Sequence, residues 1–356
     1  MNSHSEYDFE KIVSPLLSWY GRAARVLPWR DHPEPYRVWV SEIMLQQTRV
    51  EAVKPYYDAF MTALPTVKDL AEAPQEQVLK LWEGLGYYSR ARNLQKAAQI
   101  IMTQYHGEIP GDFDVLKQLP GIGDYTAGAI ASIAFDVPVA AVDGNVLRVM
   151  ARLYDHHEPV DIPRTKQLFT HTLEAIYPRE KPGQMTQAWM ELGATVCVPG
   201  KQPPKCHICP LAHLCLARER NTWSLLPVKS PKKARRLEDR TVFLLFSKGK
   251  YAIQKRPEPG LLAGLWEFPS ITGHAHMEDI LLFLTARSLS PLSIRPLPDA
   301  IHIFTHVEWN MKGYMIEVSD QSPPFHWVST KEILESFAIP SAYKVYVNCM
   351  KVENKS

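Results

Sequence analysis

No apolar run in the chain approaches the 18 or so residues that a membrane-spanning helix needs, which excludes a helical span. The opening MNSHSEYDFEKIVSPLLSWY lacks the basic start and apolar block of a secretory leader, so a cytoplasmic protein is expected. An excess of one charge is also lacking. Forty Lys/Arg against 38 Asp/Glu leave a net +2, so overall charge does not announce a polyanionic partner. Cysteine is scarce, five in 356 residues, but four of the five crowd into one short segment. No internal repeat is evident, and the first ~220 residues show no strand alternation, which leaves helices to build that part.

What is present falls into two textures. The segments PYRVWVSEIMLQQTRVEAVKPYYDAFM, QEQVLKLWEGLG, SRARNLQKAAQIIMTQY and TKQLFTHTLEAI carry apolar residues at three- and four-residue spacing, punctuated by Pro and Gly. They predict an all-helical domain over residues 1–224. Residues 225–240 carry six Lys/Arg against two Asp/Glu and read as a basic linker, either solvated or lying along a phosphate backbone. Beyond it, RTVFLLFSKGKYAIQKRP and AIHIFTHVEWNMKGYMIEV each predict a strand pair. MEDILLFLTARSL and TKEILESFAIP predict helices, so residues 241–356 form a smaller α+β domain and the chain is multidomain.

Cys197, Cys206, Cys209 and Cys215 follow the pattern C-x8-C-x2-C-x5-C. In a cytosolic protein such crowding points to a metal centre rather than to disulfides, and the spacing alone leaves zinc and an iron–sulfur cluster equally open. Cys349 stands apart and reads as a small core residue.

Three further features carry chemistry. In LPGIGDYTAGAI, Gly121 and Gly123 stand between two helical patterns within residues 112–135. They form either a plain helix–helix turn or a hairpin whose helix-entry amides bind an anion such as a DNA phosphate. Glu42 sits in WVSEIMLQQTRV, where helical spacing gives it Val38, Trp39, Leu45 and Gln46 as neighbours. Burial on that apolar face would raise its pKa, as a general acid requires. A salt bridge to Arg37 or Arg49 is the plainer alternative. Asp143 precedes the amphipathic segment GNVLRVMARLY, the place of an N-cap whose amide bonds favour an ionised carboxylate. One raised and one lowered carboxyl is the division of labour in glycosidic bond cleavage.

Together, WVSEIMLQQTRV, LWEGLGYYSRARNL, LPGIGDYTAGAI, VDGNVLRV and the four-cysteine run resemble the helix–hairpin–helix DNA glycosylases that carry an iron–sulfur cluster. The SEIMLQQT form and the appended α+β domain are similar to the MutY adenine DNA glycosylases. The resemblance covers roughly residues 8–345. It implies one [4Fe-4S] cluster on the four cysteines, and excision of adenine mispaired with 8-oxoguanine or guanine in double-stranded DNA. It implies a monomer, nucleoid-associated if bacterial.

Residue by residue, the resemblance makes Glu42 the acid that protonates the flipped base and Asp143 the anion beneath the sugar cation. Tyr125 and Asn145 join them in the pocket, with Gln187, Trp29 and Arg30 around the adenine. Gln47 and Thr48 match residues that enter the base stack, and Tyr87 a wedge beside 8-oxoguanine. The first cysteine gap is eight residues where the family usually has six, giving a longer loop that holds Lys201 and Lys205.

The second domain resembles MutT and other Nudix folds in AIQKRPEPGLLAGLWEFP, but the Glu-rich R-E-x-x-E-E helix that would bind a catalytic metal does not follow. The expected role is lesion reading by Phe304, Thr305 and His306, where the family usually has Ser in the middle. Endonuclease III-like enzymes with lyase activity need a lysine amine for a Schiff base where this chain has Tyr125, so base removal without strand cutting is expected. The alternative of a catalytically dead DNA-binding module is opposed by the intact Glu42 and Asp143.

Overall fold

The computed structural model describes residues 10–231 and 234–353. The first nine residues of the opening stretch, and Lys232 and Lys233 of the basic segment, lie outside them. Two compact units emerge, one made of Met1–Glu72 with Asn93–Pro231, the other of Ala73–Arg92 with Lys232–Ser356.

In chain order the helices are α1 (Glu10–Ala23), α2 (Pro35–Leu45), α3 (Val50–Ala63), α4 (Val67–Glu72), α5 (Gln75–Leu81), α6 (Ser89–Gln104), α7 (Phe113–Leu116), α8 (Asp124–Phe135), α9 (Gly144–Leu153), α10 (Pro163–Glu174), α11 (Pro182–Thr195) and α12 (Leu216–Glu219). The segment PYRVWVSEIMLQQTRVEAVKPYYDAFM is thus two helices. Its periodicity runs on unbroken, but Gln47 takes a left-handed backbone (φ 58°) that ends α2 and re-aims the chain. Helix α8 is apolar on all sides and buried along Thr126–Ser132, as such a helix must be. It packs against α2 and α11, and α11 packs in turn on α9 and α1. These helices position the site.

The second unit is built on a sheet of β1 (Arg236–Ser247), β2 (Lys250–Lys255), β3 (Trp266–Glu267), β4 (Ser270–Thr272), β5 (Pro291–Ile303), β6 (Val307–Val318) and β7 (His326–Val328). The order is β3-β2-β1-β6-β5, with β4 on β1 and β7 on β2. β1 and β6 run parallel while the other pairs are antiparallel. The near-continuous apolar run TVFLLF follows from this central place, because both faces of β1 are covered. Val242 and Leu244 enter one core with Tyr343 and Tyr346. Phe243 and Leu245 enter the other, under helix α13 (Met277–Thr285). Helices α14 (Thr330–Ser336) and α15 (Lys344–Glu353) complete the unit. Strand β1 starts at Arg236, inside the expected linker, because pairing with β6 begins at Arg236 opposite Val307 and satisfies the backbone there.

Candidate active site

Helix α2 buries every residue from Val38 to Met44, and Glu42 is 5% exposed among them. Its Oε2 accepts a hydrogen bond from the Tyr125 hydroxyl on α8. Burial raises the Glu42 carboxyl to about 7, against the opposing pull of that bond. The Arg37 alternative is not realised: Arg37 pairs with Glu34 at 3.4 Å. Tyr125 is itself held well above the ordinary phenol range by burial and by the Glu42 carboxylate, so it remains a donor.

Asp143 caps α9 with its side chain, as its position predicts. Oδ1 accepts from the Val146 amide at 2.7 Å, and Oδ2 from the Asn145 Nδ2 at 2.7 Å. Its pKa departs from expectation. Burial pushes it above the ordinary Asp value, despite the bonds from Val146 and Asn145 and the nearby Arg148 charge. Desolvation was not readable from the N-cap pattern, because it comes from neighbouring elements. Arg148 is buried and ties this corner together. It donates to Asn145 Oδ1 at 2.8 Å, Gly193 O at 2.8 Å and Cys197 O at 2.8 Å. Gly193 must be glycine for this contact, since a Cβ would lie 2.6 Å from the Asn145 Cβ.

Glu42, Asp143, Tyr125, Asn145, Gln187, Trp29, Arg30 and Thr48 line one cavity of about 140 Å³. The same cavity is lined by Arg25 and Glu191, which the sequence reading missed. The Glu191 side chain is fully buried. It accepts from Arg25 at 2.6 and 2.9 Å and from Arg30 at 2.8 Å. Burial alone would raise the Glu191 carboxyl, but the two arginines prevail and hold it below the ordinary range. A signal existed: Glu191 lies one helical turn after Gln187 in QAWMELG, on the same face.

Gln47 is exposed and does not line the cavity. In the second unit Tyr87 is 47% exposed and donates to or accepts from the Thr305 hydroxyl at 2.9 Å. The Arg90 guanidinium lies 5.5 Å from the Tyr87 ring. Gln47 and Tyr87 both hold left-handed backbone (φ 58° and 49°), a strain of about 1 kcal/mol or more for bulky side chains. Phe304 packs edge-on against Trp309 at 4.8 Å, while Thr305 and His306 are exposed at the β5–β6 turn.

The hairpin expected at Leu119–Ile130 is formed by α7, a turn and α8. Gly121 has φ 80°, and a Cβ there would lie 2.8 Å from the Asn93 Cβ. Gly123 caps α8 with no side chain over the first amides, and a Cβ added there would point into open space.

The four clustered cysteines are free and partly buried. Arg152 Nη1 donates to Cys197 Sγ at 3.3 Å, and Cys215 Sγ donates to Arg152 O at 3.4 Å. Burial pushes the Cys209 thiol up to about 12 and raises Cys206 and Cys215, and the neighbouring thiolates add to each rise. Among the described residues no group of three or more His, Cys, Asp or Glu is spaced to hold a single metal ion.

Residues 40–178 match the HhH-GPD superfamily base excision DNA repair proteins, and residues 241–348 match the NUDIX domain. The adenine DNA glycosylase of Rattus norvegicus is 35% identical over 93% of this chain and 77% of its own length. That of Buchnera aphidicola subsp. Acyrthosiphon pisum is 34% identical over 88% of both. The chain belongs to the adenine DNA glycosylase family. It is therefore a hydrolytic DNA glycosylase of base excision repair, with a helical HhH-GPD domain and a NUDIX domain. Two solved structures share the helical fold of this glycosylase at 28% identity. A thermostable thymine-DNA glycosylase has a TM-score of 0.53, covering 59% of this chain and 97% of that one. An endonuclease III solved in a non-covalent DNA complex has a TM-score of 0.51, covering 61% and 99%. No helix among the glycosylase's described residues is long and apolar enough to cross a membrane.

Proposed function

We propose that the enzyme removes adenine mispaired with 8-oxoguanine, or with guanine, by acid-assisted hydrolysis and without cutting the strand. The observation that carries this is the meeting of Glu42 and Asp143 in one cavity, the first with its carboxyl raised to about 7, the second capped by amides. The target adenine leaves the stack and enters that cavity. Glu42, oriented by Tyr125, gives its proton to N7 of the base. The C1′–N9 bond breaks with its electron pair passing to the base, which leaves as neutral adenine. Asp143 stabilises the oxocarbenium-like sugar through its negative charge. Glu42, now ionised, takes a proton from the water that attacks C1′, and the product is an abasic site.

Tyr125 stands where a lyase would need an amine, and a phenol cannot form an imine. The deciding assay is base release from 8-oxoguanine:adenine duplexes with and without alkali. Strand breaks that appear only after alkali are expected; equal cleavage without it would overturn the monofunctional reading. Cytoplasmic, monomeric action on double-stranded DNA accompanies this reading, with phosphate contact at Gly121 and Gly123.

Thr305, with Phe304 and His306, is assigned to lesion reading, and Gln47, Thr48 and Tyr87 to the base stack. Thr305→Ala is expected to reduce the preference for 8-oxoguanine:adenine over guanine:adenine about tenfold, one hydrogen bond's worth, while Thr305→Ser keeps it. The measurement is the ratio of single-turnover rates on the two duplexes, and an unchanged ratio removes the role.

Cys197, Cys206, Cys209 and Cys215 are assigned to one [4Fe-4S] cluster. Four free thiols with an arginine donor beside Cys197 suit a thiolate-ligated centre, and the resemblance to iron–sulfur glycosylases favours the cluster over zinc. Bound there, the cluster would staple the loops of residues 197–215. Purified enzyme should show the broad visible absorption of an iron–sulfur centre, and Cys206→Ser should lose it. A colourless, zinc-loaded protein would refute the assignment.

A further inference from the structure

Along one wall of the cavity the Glu191 and Gln187 acceptors are already engaged by protein donors. Both oxygens of Glu191 are taken, Oε1 by Arg25 Nε and Oε2 by Arg25 Nη2 and Arg30 Nη2. One turn earlier on α11, the Gln187 Oε1 accepts the hydroxyl of Tyr20 at 2.9 Å. Tyr20 is on α1, 9% exposed and not among the residues lining the cavity, so it reaches Gln187 from behind. Its ring is backed by the Arg30 guanidinium, 5.7 Å from the ring centre, and Arg30 is itself fixed by Glu191 and by Arg25 O at 3.1 Å. A side-chain amide has one acceptor end and one donor end. With the acceptor end tied to Tyr20, the NH2 of Gln187 is the end left for the cavity.

We propose that Tyr20 is a positioning residue that sets base specificity: by holding Gln187 Oε1 it presents the amide NH2 to the flipped base, so the wall accepts a ring nitrogen bearing a lone pair and turns away one bearing N–H. The inference deepens the adenine-releasing reading and rests on it. Adenine offers an unprotonated N1. Hypoxanthine carries N1–H there and would meet donor with donor. An amide free to rotate would offer its oxygen to N1–H and accept both bases. Tyr20, donating to Oε1, opposes that rotation, because a turned amide keeps the bond only if the hydroxyl changes from donor to acceptor.

The test uses the full chain and duplexes with adenine or hypoxanthine opposite 8-oxoguanine, read as single-turnover release. Comparing ratios between variants cancels the two bases' different leaving abilities. Tyr20→Phe is expected to lower the adenine-over-hypoxanthine ratio about tenfold, the exchange of one hydrogen bond, with hypoxanthine release unchanged or faster. In a Gln187→Ala background the same Tyr20→Phe change should leave the ratio unmoved. If both bases slow in parallel in Tyr20→Phe, or the ratio holds, Tyr20 is structural and the proposal is overturned. Persistence of the ratio effect without Gln187 overturns it too. A parent enzyme that releases adenine while Tyr20→Phe keeps full preference defeats only this inference; a parent that releases neither base defeats the functional reading and the inference with it.

Discussion

Glu42→Gln is expected to stop adenine release while leaving DNA binding intact. The amide is the same size as the carboxyl and can still accept from the Tyr125 hydroxyl, so the cavity keeps its shape. What it lacks is a proton to give. Loss of a positioned general acid removes roughly 10²–10⁴ of rate, and a fall of about 10³ in single-turnover release is expected. The parent's pH profile should carry the same signature. The Glu42 carboxyl at about 7 is protonated on the acid side, so acid-assisted release should fall as pH rises through about 7, and Glu42→Gln should show no such limb.

The same group makes a stability prediction. Its pKa is raised from 4.5 to about 7, so between those values the native state holds a proton that the unfolded chain has released. Stability is therefore lost as pH rises across that window. Above it the burial of the ionised carboxylate costs roughly 3 kcal/mol as an upper limit. Glu42→Gln escapes that cost. Denaturant unfolding should find the variant near the parent at pH 4.5 and more stable than it at pH 8. Normal turnover in Glu42→Gln would sink the mechanism; an equal stability difference at both pH values would sink the buried-acid account.

Asp143→Asn is the second large effect. Asn can still cap α9, so folding should change by less than about 1 kcal/mol. On the proposed mechanism the charge beneath the developing sugar cation disappears, and electrostatic stabilisation of that kind is worth about 10²–10³ in rate. Single-turnover release should fall by about that factor or more, with duplex binding retained. A rate within a few-fold of the parent would show that Asp143 serves only as a cap. Because Asn145 donates to one Asp143 oxygen and is fixed by Arg148, the carboxyl group is held in one orientation.

Much of this site was legible in local patterns. Asp143 before GNVLRVMARLY reads as an N-cap, and the cap is there. Glu42 between Val38, Trp39 and Leu45 reads as a carboxylate on an apolar face, and α2 is buried along that stretch. The strand pairs at β1–β2 and β5–β6 and the helices α13 and α14 follow their apolar patterns, because period and turn chemistry act over a few residues. Other features were not legible. Gln47 breaks a helical pattern with neither Gly nor Pro to announce it. Glu191 takes its two arginines from residues more than 160 positions away. Residues 73–92 join the second unit although their pattern resembles the helices around them.

By itself the sequence determined which segments are helix and which are strand, where Asp143 caps, and which residue types were available for acid chemistry and thiolate ligation. These depend on backbone preference and on the spacing of apolar side chains, both local properties. Only the tertiary structure decided that Glu42 would be bonded to Tyr125, that burial would push the Asp143 carboxyl upward as well, and that Tyr20 would stand behind Gln187. Desolvation and long-range hydrogen bonds are set by what packs around a group, and the neighbours concerned lie tens to hundreds of residues away in the chain.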